Sequence, residues 1–380
     1  MSTYKALVLE SFSEPLSIKP FPIPTIANGT VLVQPLYATL ESDLRDVYNG
    51  NVSFFNLQVP LTPGGCCVAR VEAVPPDAVA IKPGDIVWVE LTITARDDPD
   101  TKILLGLMGG MTPAANQLMR DGWRNGVFAE KAVVPLENVH VLPESLFQKK
   151  EDGGKGYHYK DLASLSHVLV AYGGLEAARV TAGTTVIVAP ATGKYSGGAV
   201  LDALAMGAKV VAAGRNEEAL KKLYQFPGAK ERLTTVKLLS DSEKDGAALL
   251  AATGGKGANV YIDFSPPVAA GPTTPTHITA AISALRRNGQ VLLMGGMYSN
   301  VEINYADCTF RSLTIRGVMM YERKQIEGLI RMVENGNLVL GESVGLNIAG
   351  TFALEEFEKA IDLAEKGTGW GNNVVFAPNE

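Results

Sequence analysis

Residues 184–216 read TTVIVAPATGKYSGGAVLDALAMGAKVVAAGRN, and the fold turns on this stretch. It opens on TTVIVAPA (184–191), a β-rich apolar run of the kind a strand buried on both faces needs. A Gly-rich turn follows. GGAVLDALAMG (197–207) then reads as a helix ending at Gly207, and KVVAAG (209–214) as a second buried strand. Strand, turn, helix and strand in that order make one βαβ unit.

The turn has a chemical reading. Glycines let the backbone approach a pyrophosphate, and a helix N-terminus offers free N–H groups and the positive end of its dipole. Thr192, Gly193, Lys194, Tyr195, Ser196 and Gly197 make up the turn, with Gly193 and Gly197 as the expected close-approach positions. Pro190, Ala191 and Thr192 occupy the first part of the loop, so it departs from a clean GxGxxG, and its context carries the assignment. At the end of the second strand an NAD site places Asp or Glu on the adenosine ribose. This sequence has Gly214, Arg215 and Asn216 there. The acid is missing and a guanidinium follows, which suits a 2′-phosphate. The expected cofactor is therefore NADP(H). Lys194 either adds charge at the phosphates or is a solvated loop lysine.

The same grammar continues downstream. SLSHVLVAYGGLEAARV (164–180) reads as a helix, NEEALKKLYQF (216–226) as another, NVYIDF (259–264) as a strand, THITAAISALRRN (276–288) as a helix and QVLLMGG (290–296) as a strand. Alternation at this spacing implies an α/β fold with a doubly wound parallel sheet. KQIEGLIRMVENGNL (324–338) and LEEFEKAIDLAEKG (354–367) have the three and four spacing of amphipathic helices. NNVVFAP (372–378) is a short strand.

Upstream the pattern differs. YKALVLE, TVLVQPLYA, CCVARVEAV, DIVWVEL and VFAEKAVVP recur through residues 1–145 between Pro and Gly punctuation. They predict a barrel-like or sandwich-like β domain. Residues 101–125 interrupt it as a lobe, and the polar, Gly-rich KKEDGGKGYHYKD (149–161) reads as a surface link. A length of 380 residues accommodates two such domains.

Composition narrows the function classes. The net charge of −6, without a long block of one sign, makes nucleic acid and anionic membranes poor partners. No run of about 18 apolar residues predicts a membrane span, and the N-terminus lacks the features of a secretory signal. Three cysteines imply no disulfide framework, so a reducing, cytoplasmic setting is expected. LTPGGCCVARVEAV (61–74) holds two of them side by side, Cys66 and Cys67. No CxxC is present, and a structural zinc site needs four ligands at such spacings.

These segments, together with PLYATLESDLRDVYNG, VPLTPGGCCVARVEAV, IKPGDIVWV, GVFAEKAVVP, VAYGGLEAA, LRRNGQVLLMGG and LTIRGVMM, resemble the medium-chain dehydrogenase/reductase superfamily nearly end to end. That is the superfamily of zinc alcohol dehydrogenases and quinone oxidoreductases. The resemblance implies a Rossmann cofactor domain at 162–320 and a GroES-like β-barrel catalytic domain at 1–161 and 321–380, with the active site between them. It also implies where zinc ligands would stand. Those positions hold Leu40, Gly65 and Ser166, side chains that cannot bind Zn²⁺ in the family's way. Cys66 and Cys67 then read as small packing residues beside a lost ligand position, and the four-cysteine lobe is absent.

Without zinc, something else must stabilise charge on the acceptor oxygen, or the acceptor must be easy to reduce. Zinc-free relatives lean toward quinone, enone and enoyl reduction. The expected activity is NADPH-dependent hydride transfer to an activated alkene or quinone. A metal-free carbonyl reductase or alcohol dehydrogenase is the alternative, and a non-redox NADPH-binding protein is the reading from another class. Ser42 and Tyr48 are the candidate proton donors. By resemblance, Val170, Gly295, Gly296 and Met319 lie near the nicotinamide, and LTIRGVMM (313–320) joins two copies into a homodimer. Asn116 and Trp123 are candidates for lining the pocket, and His277 reads as a surface residue at a helix start.

Overall fold

A computed structural model describes residues 2–380. The chain forms two compact units. The first runs to Ser164 and takes in Asn347–Thr368 and Asn372–Glu380, and the second comprises Leu165–Leu346 with Gly369–Gly371.

In the second unit six parallel strands form one sheet, in the spatial order Leu233–Lys237, Lys209–Gly214, Thr185–Val188, Ala258–Asp263, Leu285–Leu293 and Thr314–Gly317. Numbered along the chain this is 3-2-1-4-5-6. The order reverses between Thr185–Val188 and Ala258–Asp263, and ligands of open α/β sheets bind outside the carboxyl ends of the strands at such a switch point. The central strands are apolar because helices cover both faces: Val210–Gly214 is buried without a break. Ile187, Val211, Tyr261, Ile278 and Val291 meet in the core on one face.

On the other face the helix Leu165–Ala177 is buried at eleven of its thirteen positions. It packs on Lys194–Ala205, and Gly198 sets how close the two helices come. A Cβ there would lie 2.4 Å from the His167 carbonyl oxygen, so any side chain would push the helices apart.

Three expectations need correction. The helix read through residue 288 ends at Ser283, and Leu285 already enters the next strand. Arg311 accounts for the stop. Its guanidinium donates to the carbonyls of Ile282 (3.0 Å), Ser283 (3.2 Å) and Leu285 (2.8 Å), so acceptors that another helical turn would have used are already paired. The domain boundary expected at residue 321 falls after Leu346. The amphipathic helix Arg323–Asn335 buries Ile326, Leu329, Ile330 and Val333, and Gln325 Nε2 donates to the Gly173 carbonyl at 3.3 Å. Gly173 admits this packing, because a Cβ there would lie 2.8 Å from the Met320 carbonyl. The helix Arg323–Asn335 is thus held against Leu165–Ala177, inside the second unit. The upstream boundary, expected after residue 161, falls after Ser164.

The first unit is built on a seven-stranded sheet around the long strand Thr30–Leu40, which pairs with Cys67–Ala73, Ala132–Pro135 and Asn372–Phe376. The C-terminal segment supplies two of its strands, Asn347–Phe352 and Asn372–Phe376, paired in parallel. Trp88 and Phe376 are fully buried in this unit. The lobe at 101–125 carries a short strand, Lys102–Leu104, and a helix, Pro113–Gln117, capped by Thr112. Among the described residues no helix is long and apolar enough to cross a membrane.

Candidate functional site

The Gly-rich turn joins the strand Thr185–Val188 to the helix Lys194–Ala205, at the carboxyl end of the sheet. Gly193 is the residue before the helix. Its backbone N–H donates to Ser196 Oγ at 3.0 Å, which holds the turn closed by its own side chain. Lys194 is buried at 5% exposure despite its charge, and Thr192 and Tyr195 are half-buried. Tyr195 stacks on Phe264, with centroids 6.4 Å apart, and meets the His167 ring edge-on.

Gly197 allows a close approach, but to protein. A Cβ there would lie 2.5 Å from the Trp370 ring. Trp370 belongs to the tripeptide Gly369–Gly371 that this unit takes from the C-terminal segment. Its N–H donates to the Thr192 carbonyl at 3.0 Å, its indole N–H to the Val344 carbonyl at 2.8 Å, and its ring meets Phe226. Sequence reading missed Trp370, because nothing local links residue 370 to residue 192.

At the end of the second strand Gly214 is buried and Arg215 exposed. No hydrogen bond or ion pair engages Arg215 among the described residues. Asn216 caps the next helix by accepting from the Ala219 N–H at 3.1 Å. Taken together, a cationic side chain at a helix N-terminus, the first-turn N–H groups and an exposed guanidinium form a donor-rich set. Such a set fits phosphate oxygens.

A second polar cluster stands beside the turn, at the end of Ala258–Asp263. Asp263 Oδ1 accepts from Tyr261 Oη (2.9 Å) and Ser265 Oγ (2.7 Å), and Oδ2 accepts from the Ser265 N–H (3.0 Å). His277 Nε2 lies 2.8 Å from Ser265 Oγ and 3.4 Å from Asp263 Oδ1. Burial on its own would raise the Asp263 carboxyl, but the His277, Ser265 and Tyr261 donors outweigh it and hold the group below its usual range. The expectation that His277 is a surface residue is corrected here, since its side chain is 15% exposed. Gly295 and Gly296 are exposed, and both are tied to this cluster. A Cβ on Gly295 would lie 2.4 Å from the Ser265 carbonyl, and the Gly296 N–H donates to that same oxygen at 3.0 Å. Met319 is 49% exposed, just past the edge strand, and Val170 is buried on the helix Leu165–Ala177.

In the first unit Ser42 is half-buried in the turn before the helix Leu44–Tyr48, and Tyr48 is buried at 4% exposure. The Tyr48 hydroxyl has no hydrogen bond of normal geometry among the described residues. Burial pushes its phenol far up, against an opposing effect of the Gly64 backbone, and the Asp43 carboxylate adds a lesser upward push. The ring also walls a cavity of about 270 Å³ together with Phe12, Arg45 and Ile361. Asn116 Oδ1, in the lobe, accepts from Asn56 Nδ2 outside it, at 2.7 Å.

Leu40 is buried in its strand, and Gly65 is half-buried with the Leu91 side chain 2.9 Å from where its Cβ would be. Ser166 is buried, without a hydrogen-bond partner for its hydroxyl among the described residues. Cys67 lies in the strand Cys67–Ala73, fully buried, and burial raises its thiol well above the usual value, with Cys66 contributing. Such a thiol is a packing group, with little thiolate to act as ligand or nucleophile. Among the described residues, no three His, Cys, Asp or Glu side chains gather as a metal ion would need.

Two family models match the chain: an alcohol dehydrogenase GroES-like domain over residues 27–144 and a zinc-binding dehydrogenase over residues 197–335. Several solved structures are similar along the whole length. An NAD-dependent alcohol dehydrogenase is 21% identical with a TM-score of 0.74, over 98% of this chain and 99% of that one. A thermostable alcohol dehydrogenase from Pyrobaculum aerophilum is 17% identical with a TM-score of 0.71, over 99% and 100%. The alcohol dehydrogenase rspB of E. coli CFT073, complexed with NADH, is 18% identical with a TM-score of 0.74, over 99% and 100%. At these identities the likeness is one of fold. No curated protein matches the chain by sequence.

Proposed function

The chain belongs to the medium-chain dehydrogenase/reductase superfamily, and from that premise we propose that it is a zinc-independent, NADPH-dependent reductase of an activated alkene (an enone or enal) or a quinone. The observation that carries the cofactor choice is Arg215, exposed and unengaged after the buried Gly214, where an NAD site would hold a carboxylate. The observation behind zinc independence is the donor chemistry of Leu40, Gly65 and Ser166, which offer a metal neither a thiolate nor an imidazole.

The bound dinucleotide supplies the hydride, and the chain's residues do the rest. Lys194 and the first-turn N–H groups of Lys194–Ala205 hold the pyrophosphate, Arg215 takes the 2′-phosphate, and Asn216 fixes the start of the following helix. Gly295, Gly296 and Met319 border the nicotinamide end. A reduced alkene or quinone needs a proton as well as a hydride. Tyr48, with its phenol raised by burial, keeps its proton throughout the neutral range and is the first candidate donor. Ser42 is the second, and suits carbonyl reduction, in which an alkoxide must be protonated.

The active assembly is a homodimer of this chain. Every residue of the edge strand Thr314–Gly317 is exposed, and Tyr305, Phe310, Ile315 and Met319 present apolar surface around it. An open edge with apolar surroundings is a ready template for pairing. Three free cysteines suit a reducing compartment, and the cytoplasm is the proposed location.

The test is purified protein with NADPH and a panel of α,β-unsaturated carbonyl compounds and quinones, the products analysed by mass and structure. A saturated carbonyl or a hydroquinone is the expected product. An allylic alcohol would replace this reading with metal-free carbonyl reduction. NADPH binding without oxidation across the panel would replace it with a non-redox role.

A further inference from the structure

We propose that His277, Ser265, Asp263 and Tyr261 form a positioning network that sets dinucleotide affinity by tying together the three backbone segments at the sheet's switch point. The inference rests on the cofactor reading given above. Its starting point is location. Asp263 ends the strand Ala258–Asp263, which lies beside Thr185–Val188 in the sheet, and the chain order reverses between these two strands. That is where a ligand of an open α/β sheet sits.

The network meets each segment at its backbone, with the one Tyr261 hydroxyl proton shared between Asp263 Oδ1 and the Ala189 carbonyl. Tyr261 Oη lies 3.1 Å from the Ala189 carbonyl, the residue that opens the Gly-rich turn. The Ser265 N–H is held by Asp263 Oδ2 at 3.0 Å. The Ser265 carbonyl receives the Gly296 N–H at 3.0 Å. One buried carboxylate therefore positions the turn after Thr185–Val188, the segment after Ala258–Asp263 and the Gly295–Gly296 turn together.

Proton counting makes His277 the keystone. Ser265 has one hydroxyl proton. If it goes to Asp263, then Ser265 Oγ must accept from His277 Nε2–H. Were Nε2 unprotonated, Ser265 would have to donate to His277, and Asp263 Oδ1 would lose its shortest hydrogen bond. Asp263 is 3% exposed, and His277 is the one basic side chain in contact with it among the described residues. A purely structural contact at this point needs no carboxylate, since apolar groups of the same shape would pack as well.

The experiment measures NADPH and NADH dissociation constants, melting temperature and the split of KM against kcat for wild type, H277A, H277Q and S265A. H277A is expected to weaken dinucleotide binding by about tenfold, the scale of losing the group that fixes Ser265 Oγ at 2.8 Å and faces Asp263 Oδ1 at 3.4 Å, with kcat at saturating cofactor and the acceptor KM little changed. H277Q, whose side-chain N–H can again donate to Ser265 Oγ, is expected to restore most of the affinity. S265A is expected to behave as H277A does. Wild-type affinity in a folded H277A overturns the inference, and so does equal weakening in H277A and H277Q, which would assign the effect to ring packing. Should H277A melt below the assay temperature, H277Q against S265A decides, and wild-type affinity in both overturns the inference. A wild type that binds neither dinucleotide overturns the cofactor reading and this inference with it.

Discussion

Asp202 is the residue that fits its surroundings least. It sits on the helix Lys194–Ala205 with no exposure, and neither carboxylate oxygen has a hydrogen-bond partner among the described residues. Burial holds its carboxyl well above the usual range, so it is neutral where an unfolded Asp is ionised. The unfolded chain then releases a proton that the folded chain retains. Stability is full below the unfolded value of roughly 3.9 and falls as pH rises above it. D202N keeps the shape and removes the titration. Its gain over wild type in urea unfolding is expected to be small near pH 4 and at least about 1 kcal/mol at pH 8, whereas an equal gain at both pH values would sink the account. Arg215 is the other residue with a separable effect. R215D reverses the charge that would meet the 2′-phosphate, and NADPH affinity is expected to drop by about tenfold or more while NADH affinity holds or improves. Titrating both dinucleotides against the variant decides this. Arg215 was legible in sequence because its meaning depends on local order, at the end of a strand with no acid beside it. His277 was not, because its partners lie 12 and 14 residues upstream, in another element.

At the scale of the element, periodicity named most helices and strands, and errors came where a tertiary partner ended an element early. THITAAISALRRN carries a helical pattern to its end, yet the Arg311 guanidinium takes the carbonyls of Ile282, Ser283 and Leu285 and Arg311 also pairs with Asp307. Removing it leaves a helix end and a strand start without donors. R311A is expected to lower unfolding free energy by about 2 kcal/mol, with R311K recovering only part of that, since an ammonium lacks the planar fork that spans three acceptors. Chemical denaturation of the pair is the check, and an unchanged R311A would show that water satisfies these carbonyls equally well. The helix Arg323–Asn335 teaches the same lesson at a boundary. Its apolar face was plain in sequence, but which body that face covers was not.

For the molecule as a whole, the exposed edge strand Thr314–Gly317 carries the assembly prediction. Ile315 is 38% and Phe310 78% exposed there, and a like-charged pair of edges cannot join. I315K together with F310K is expected to yield particles near the chain mass of 40.4 kDa in light scattering, against twice that for wild type. A wild type that is already monomeric would refute the dimer directly.

The sequence by itself determined the alternation of strands and helices, the two-part organisation, and the Gly-rich turn with Lys194 in it and Arg215 after the next strand. Each of these is a matter of neighbours along the chain, which is what a linear pattern can encode. Tertiary structure alone decided that Gly197 makes room for Trp370, that Gly198 lets two helices touch, and that His277 completes a buried network with Asp263. It also decided that residues 321–346 belong with the cofactor-binding unit. These depend on contacts between residues far apart in sequence. The side chains involved carry no local mark of the partner that folding brings to them.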